Sequence, residues 1–134
     1  MSEVDDWPHH WFGVWAEFGP AYQKCPSVHS FVKPDINAGY RKASLYKYLT
    51  TAPIVASTSR VNFPNAFTGD RVTGSISFRT DGKWLWLDDL AEYIDKYNVT
   101  IPARWLNDIE AHNYSPPKEL PGNVSGSLEW PPLG

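Results

Sequence analysis

Polar and apolar side chains alternate most regularly on either side of Asp81-Gly82. Residues 75–79 alternate strictly, and residues 83–87 return with two Trp and two Leu. Asp-Gly is a favoured two-residue turn, because its glycine tolerates the positive φ that tight hairpins require. The pattern predicts a β-hairpin. Residues 54–59, which follow Pro53, predict a further strand that is apolar enough to pair in the centre of a sheet.

Two helices are predicted in the N-terminal half. Residues 6–18 carry large apolar residues at three- and four-residue spacing, with Pro8 early and Gly19-Pro20 as the terminator. Residues 36–50 follow Asp35 and place Leu45 and Leu49 four residues apart. The intervening residues 19–34 predict a loop.

Two more helices are predicted after the hairpin. One follows an N-cap at Asp88 or Asp89 and carries one apolar stripe, which consists of Leu90, Tyr93, Ile94 and Tyr97. The other follows Ile101-Pro102, and its inward side chains are Trp105, Leu106 and Ile109. The sum is an α+β fold, a small antiparallel sheet that contains a hairpin and is packed by three or four helices.

The 134 residues suit one domain, which we assign to residues 1–114. Residues 115–134 contain five of the twelve prolines. They predict a Pro/Gly-rich tail that is extended along the surface or partly disordered, with Trp130 as an anchor. Residues 61–71 are rich in turn formers and predict a loop.

Charge indicates the class of partner, and cysteine content indicates the cellular compartment. The formal net charge is −3 and the basic residues are scattered, which argues against a nucleic-acid partner and favours a basic protein. The sole cysteine, Cys25, fits a reducing compartment. Neither a signal peptide nor an apolar run of membrane-spanning length is evident. We therefore expect a cytoplasmic protein with no membrane partner.

No pattern in the chain demands catalysis. His9-His10 are adjacent, so they lack the i,i+4 spacing that chelates a metal on a helix. Cys25 and His29 have no third residue to orient them, and a buried structural cysteine is the simpler explanation. The acids that follow the hairpin are explained by helix capping and the helix dipole. Phosphate loops, nucleophile elbows and zinc spacings are lacking, so we predict no catalytic residues, no metal and no cofactor.

Trp84 and Trp86 leave two alternatives open. Their strand is apolar on both faces, with Leu85 and Leu87 opposite the two indoles. Either helices bury both faces, or the tryptophan face is exposed for binding. Core burial is the commoner fate of such aromatic residues, and the many Trp and Tyr residues are also typical of interfaces.

The segment TDGKWLWLDDL at residues 80–90 resembles a pattern in small bacterial, often actinobacterial, proteins. The residues that continue the likeness are Tyr93, Tyr97, Val99, Ile101-Pro102 and Trp105-Leu106, together with residues 46–49 and 54–55 upstream. Trp105 stands where Phe is commoner. The family is associated with immunity proteins of polymorphic toxin systems. The likeness covers about half of the chain.

The resemblance implies a non-catalytic protein-binding domain, an antitoxin that neutralises a cognate toxin by covering its active site. A monomer in a one-to-one complex is the expected assembly. The candidate contacts are polar residues near aromatics, with the two indoles as anchors; they are Asp81, Lys83, Trp84, Trp86, Asp88 and Asp89, followed by Asn62, Asn65 and Asp70 in the loop.

Two alternatives stay open. One is a small unmarked enzyme or ligand-binding domain that uses a Trp-lined pocket with Asp and His112. The other is an accessory subunit with a permanent apolar interface. Fold alone does not choose among them, because one fold hosts many functions.

Overall fold

The computed structural model describes residues 7, 9–32, 42–59, 63–71, 73–120 and 124–131. Strands and helices alternate irregularly along the chain. They are β1 (Trp11–Phe12), α1 (Lys42–Thr51), β2 (Ile54–Ser59), β3 (Ser75–Thr80), β4 (Leu85–Leu87), α2 (Leu90–Tyr97), α3 (Ala103–Ala111) and the short α4 (Val124–Ser127). This arrangement confirms the predicted α+β class.

The four strands form one sheet in the order β1-β4-β3-β2. The predicted hairpin is confirmed: β3 and β4 pair antiparallel, with Thr80 opposite Leu85. The sheet is mixed rather than antiparallel, since β1 pairs parallel with β4. β2 pairs antiparallel with β3 and lies at the sheet edge, not in its centre. Its polar residues suit an edge position, where one face meets water.

The helices after the hairpin lie where they were predicted. α2 begins directly after Asp89, although the Asp89 side chain makes no capping hydrogen bond. Leu90, Tyr93 and Ile94 are buried on its inner face. α3 follows Pro102 and buries Trp105 and Ile109. α1 begins at Lys42, and the predicted first turn at residues 36–41 lies outside the described residues.

The predicted helix at residues 6–18 is wrong for the part that the structure describes. β1 occupies its middle, and a 3₁₀ turn at Ala16–Phe18 follows. Gly13 has a φ of 91°, which breaks helical geometry between these two elements. The spaced aromatics are all buried, but they reach the core from an extended and turning chain. A sheet edge that offers hydrogen bonds outweighs a weak local preference.

Trp84 and Trp86 belong to the core, with side chains 1% and 0% exposed. Trp15 and Trp105 are equally buried. Each removes more apolar area from water than a Leu or Phe, so each contributes about 3 kcal/mol or more by burial. The exposed-indole alternative is thereby excluded for both hairpin tryptophans.

The described part of the tail packs back on the domain. Leu128 is buried, and the Trp130 ring meets Phe78 edge-on with 5.4 Å between centroids. Glu129 accepts a hydrogen bond from the His10 backbone N–H at 3.1 Å. Trp130 therefore serves as the anchor that the sequence suggested. Among the described residues, no helix combines the length and apolarity that crossing a membrane requires.

Candidate functional site

The hairpin turn is built around the Asp81 carboxylate. Its Oδ1 accepts hydrogen bonds from the backbone N–H groups of Lys83 and Trp84, at 3.0 and 2.8 Å. Gly82 takes a φ of 98° and donates its N–H to Thr80 Oγ1. An Asp side chain that bonds the backbone two residues ahead is a common way to fix a turn. The tip is therefore rigid.

The second Asp81 oxygen ties the turn to the core. Oδ2 accepts hydrogen bonds from the Tyr48 hydroxyl at 2.8 Å and from the Trp105 indole at 3.2 Å. Burial, followed by the adjacent Asp81 charge, raises the pKa of Tyr48, so the phenol stays protonated and donating. We call Tyr48, Asp81, Trp84 and Trp105 the hairpin cluster. Asp81, with both oxygens engaged, is its scaffold.

The indoles of the hairpin cluster stack behind the turn. Trp84 and Trp105 lie nearly parallel, with centroids 5.3 Å apart, and Trp86 tilts against Trp105 at 5.0 Å. Trp86 Nε1 donates to the Leu49 carbonyl at 2.9 Å. Each N–H thus has an acceptor, which removes the cost of burying it. The stack and these hydrogen bonds hold Trp84 in place behind the turn.

A cavity of about 360 Å³ opens beside Trp84, between α1, the turn and α3. We call it the acidic recess. Its chemically active lining residues are Tyr48, Asp81, Lys83, Trp84, Asp108 and His112. Two carboxylates face one ammonium, so its formal charge is negative when His112 is neutral.

Asp108 is the exposed carboxylate of the acidic recess. Its Oδ2 accepts hydrogen bonds from the Trp84 indole at 3.2 Å and from Lys83 Nζ at 3.3 Å. Its Oδ1 accepts none from the described residues, and the side chain is 39% exposed. Asp108 is therefore held in place with one acceptor oxygen still available.

His112 lies one turn beyond Asp108 on the same helix face. Its Nδ1 is 2.8 Å from the Asp108 backbone carbonyl. A carbonyl oxygen only accepts, so Nδ1 carries the hydrogen and, in the neutral ring, Nε2 carries the lone pair. The recess thus combines an anionic acceptor with an imidazole acceptor.

The chain matches no family model, no curated protein and no solved structure. Its chemistry is inferred from its own side chains.

The thiol that the sequence singled out is poorly placed for nucleophilic chemistry. Burial raises the pKa of Cys25 to about 11, so it is a protonated thiol at neutral pH. His29 is exposed and packs edge-on against Phe67 instead. In the part of the chain that the structure describes, no three His, Cys, Asp or Glu side chains gather as metal ligands would.

The structure separates the residues that the sequence grouped around the hairpin. Asp81, Lys83 and the 1% exposed Trp84 line the acidic recess, whereas Trp86 is fully buried and does not line it. Asp88 lies at the opposite end of β4, where it pairs with Arg79 at 3.1 Å. Asp89 is only 9% exposed. Asp81 and Lys83 at the hairpin tip are thus separated from Asp88 and Asp89.

The loop at residues 63–71 is a separate surface. Asn65 Oδ1 accepts hydrogen bonds from the N–H groups of Phe67 and Thr68, so this side chain serves the loop itself. Asp70 is exposed. Asn62 lies outside the described residues. None of the described loop residues lines the acidic recess.

Sequence reasoning missed Tyr48 and Asp108. Asp108 follows Trp105 by three residues, and such residues share a helix face, so the α3 pattern contained a usable signal. Tyr48 lies three residues after Leu45 on the predicted inner face of α1. The helix pattern therefore marked it as a core residue and not as a site residue. Its proximity to Asp81 depends on how α1 packs against the hairpin.

Proposed function

We propose that this chain is a non-catalytic protein-binding domain of the cytoplasm, an immunity protein that neutralises a cognate toxin by covering its active site. The observation that carries the proposal is the acidic recess, with Asp108 fixed from behind by a buried indole and open in front. A binding group that is already immobile loses little conformational entropy on association. Tight inhibition depends on such pre-organised contacts.

Charge favours a basic partner. The chain has a formal net charge of −3, and the acidic recess holds two carboxylates against one ammonium. Complementary charge speeds encounter and rejects wrong partners. An arginine or lysine of the toxin entering the recess would meet the partly exposed Asp108 carboxylate in its lining.

The rim of the recess has the composition of an interface. Lys83 and His112 are exposed beside Asp108 and offer one cation and one imidazole acceptor. Polar rims of this kind surround the few contacts that contribute most of the binding energy. Covering an active site needs only this steric and polar match. The resemblance around residues 80–90 adds a reason to choose a toxin as the partner.

The test is capture from the native cells followed by a toxicity assay. The wild-type chain should retain a stoichiometric protein whose expression kills cells that lack this chain. Asp108→Asn keeps the size of the side chain and removes its charge, and it should weaken the complex by about tenfold or more. The variant should then protect cells poorly at equal expression.

Asp70→Asn is the matched variant, because it neutralises an exposed carboxylate outside the recess. It should bind and protect like the wild type. Loss of affinity in Asp70→Asn with full affinity in Asp108→Asn would place the interface on the loop. A captured partner that is harmless to cells would refute the immunity proposal.

A second candidate is a ligand-binding domain that uses the same recess. Its volume of about 360 Å³ is within the range of small-molecule sites, and Trp84, Asp108 and His112 line it. A cationic small molecule that raises the melting temperature in a saturable, Asp108-dependent manner would favour this candidate. An unchanged melting temperature with such molecules, together with capture of a protein partner, would favour the immunity protein.

A further inference from the structure

A second recess lies directly beside the acidic one. It has a volume of about 460 Å³ and lies between α1 and the segment that follows α3. Its chemically active lining residues are Ser44, Lys47, Thr51, Asn113 and Lys118. We call it the basic recess, because the charged groups among its described lining residues are both lysines.

The two recesses share one wall. Ser115 and Pro117 line both of them. The backbone N–H of Ser115 donates to the His112 carbonyl, so this wall is bonded back to α3. Pro116 and Pro117 further restrict it. The wall therefore separates the two recesses along the segment that follows α3.

The lysines of the basic recess have no counter-ion within the part of the chain that the structure describes. Neither Lys47 nor Lys118 forms an ion pair with any residue that the structure describes. Lys83, in contrast, is already paired with Asp108 across the acidic recess. Among the described residues, the surface thus presents a carboxylate oxygen without a donor on one side of the wall and two ammonium groups without an ion pair on the other.

We propose that the two recesses together bind one segment of a protein partner, in which a basic side chain enters the acidic recess and a carboxylate side chain enters the basic recess. This inference rests on the proposed protein-binding function. It adds the charge order of the partner, that is, the order in which its bound segment carries the basic and the acidic side chain. Opposite charges on either side of the shared wall favour binding of the segment in one direction. The reversed direction places like charges together, which disfavours it.

Blocked peptides test the charge order without the natural partner. The probe set joins Arg to Glu through glycine spacers of varied length. Control peptides replace Arg by citrulline or Glu by Gln, which keep the shape and remove one charge. Binding is followed by NMR, through the Trp84 indole signal for the acidic recess and the Lys118 amide signal for the basic recess.

At one spacer length, the Arg/Glu peptide should shift both signals. Each neutral replacement should raise the Kd by about two- to fivefold and abolish the shift at its own recess only. The double variant Lys47→Gln with Lys118→Gln should bind the Arg/Glu and Arg/Gln peptides equally. Lys24→Gln removes an exposed lysine outside both recesses and should change nothing.

Three results overturn the inference in distinguishable ways. Equal affinity of the Arg/Glu and Arg/Gln peptides for the wild type, with citrulline still weakening binding, refutes the role of the basic recess and leaves the proposed function standing. Insensitivity to citrulline as well removes the acidic recess from both proposals. Loss of the Glu dependence in Lys24→Gln shows that general surface charge, not the basic recess, is responsible.

Discussion

Two buried aromatic groups stabilise this domain by different means. The hairpin cluster surrounds a carboxylate, and both of its indoles donate to Asp side chains. The second group is the N-terminal cluster, which consists of aromatic residues alone: Trp7, Phe12, Trp15 and Phe31. Phe12 meets Trp15 edge-on at 87° and Phe31 edge-on at 88°, whereas Trp15 and Phe31 are tilted at 41°.

The two groups differ most in whether their buried indole N–H groups have hydrogen-bond acceptors. Trp105 and Trp15 are both fully buried, yet Trp105 Nε1 has Asp81 as its acceptor. Trp15 Nε1 is buried with no hydrogen-bond partner among the described residues. An unpaired buried donor costs about 1–3 kcal/mol. The hairpin cluster is therefore fixed by hydrogen bonds to carboxylates. In the N-terminal cluster Trp7 donates to the Trp11 carbonyl at 2.7 Å, whereas Trp15 contributes through shape and buried area.

The largest effect is expected at Asp81. Asp81→Ala removes a carboxylate that accepts four hydrogen bonds, and it leaves the Tyr48 and Trp105 donors unsatisfied. The free energy of unfolding should fall by about 3–5 kcal/mol in urea denaturation. Asp81→Asn retains one acceptor oxygen and should fall between this variant and the wild type. A loss below about 1 kcal/mol in Asp81→Ala would contradict the scaffold role.

A matched pair of tryptophan variants separates the two groups. Trp105→Phe and Trp15→Phe leave voids of similar size at equally buried positions. Only Trp105→Phe also deprives Asp81 of a donor, so it should cost about 1.5–3 kcal/mol more. Chemical denaturation of both variants measures the difference. Equal losses would show that the indole-to-carboxylate bond contributes nothing net.

The N-terminal region has its own carboxylate outside the cluster, at Glu17. It accepts hydrogen bonds from Ser27 Oγ and the Val28 N–H, at 2.5 and 2.9 Å. Burial opposes ionisation, but these bonds outweigh it, and the pKa of Glu17 is lowered. A lowered pKa in the folded state means that the stabilisation is complete above the unfolded pKa, near 4.5, and is lost as the pH falls through the folded value.

Denaturation at a series of pH values tests this dependence. From pH ~6 to pH ~3 the wild type should lose about 1 kcal/mol more stability than Glu17→Gln. Glu119→Gln changes an exposed carboxylate and should follow the wild type. Parallel curves for the wild type and Glu17→Gln would show that protonation of Glu17 is not coupled to folding.

The smallest effect is expected at the rim of the hairpin cluster. Lys83 pairs with Asp108 at 3.3 Å, but its side chain is 61% exposed. Exposed ion pairs contribute little, so Lys83→Gln should change the unfolding free energy by less than about 0.5 kcal/mol. A loss above about 1 kcal/mol would mean that the turn, and not only its surface, depends on the ammonium.

Much of the hairpin half was predictable, because its signals are local. The Asp81-Gly82 turn, the alternation beside it and the α2 and α3 stripes each use neighbouring residues. The acidic recess was only partly predictable. Asp81, Lys83 and His112 were recognised as candidates, whereas Tyr48 and Asp108 were not, since their roles require α1 and α3 to meet at the turn.

The N-terminal residues show that the spacing of aromatic residues alone does not establish a helix. Aromatic residues three and four positions apart fit a helix pattern. A chain of short strands and turns buries the same rings equally well. The parallel pairing of Trp11 with Leu85 joins residues that are distant along the chain. No local preference encodes such a partner.

The sequence by itself determined the α+β class, the hairpin, the helices that follow it and the burial-prone aromatic content. Each of these depends on periodicity or turn chemistry within a few residues. Only the tertiary structure decided that β1 closes the sheet in parallel, that Trp84 and Trp86 are core, and that Asp81 bonds inward while Asp108 faces outward. Those outcomes follow from long-range packing, in which a side chain's neighbours, and not its own type, fix whether it supports the fold or meets a partner.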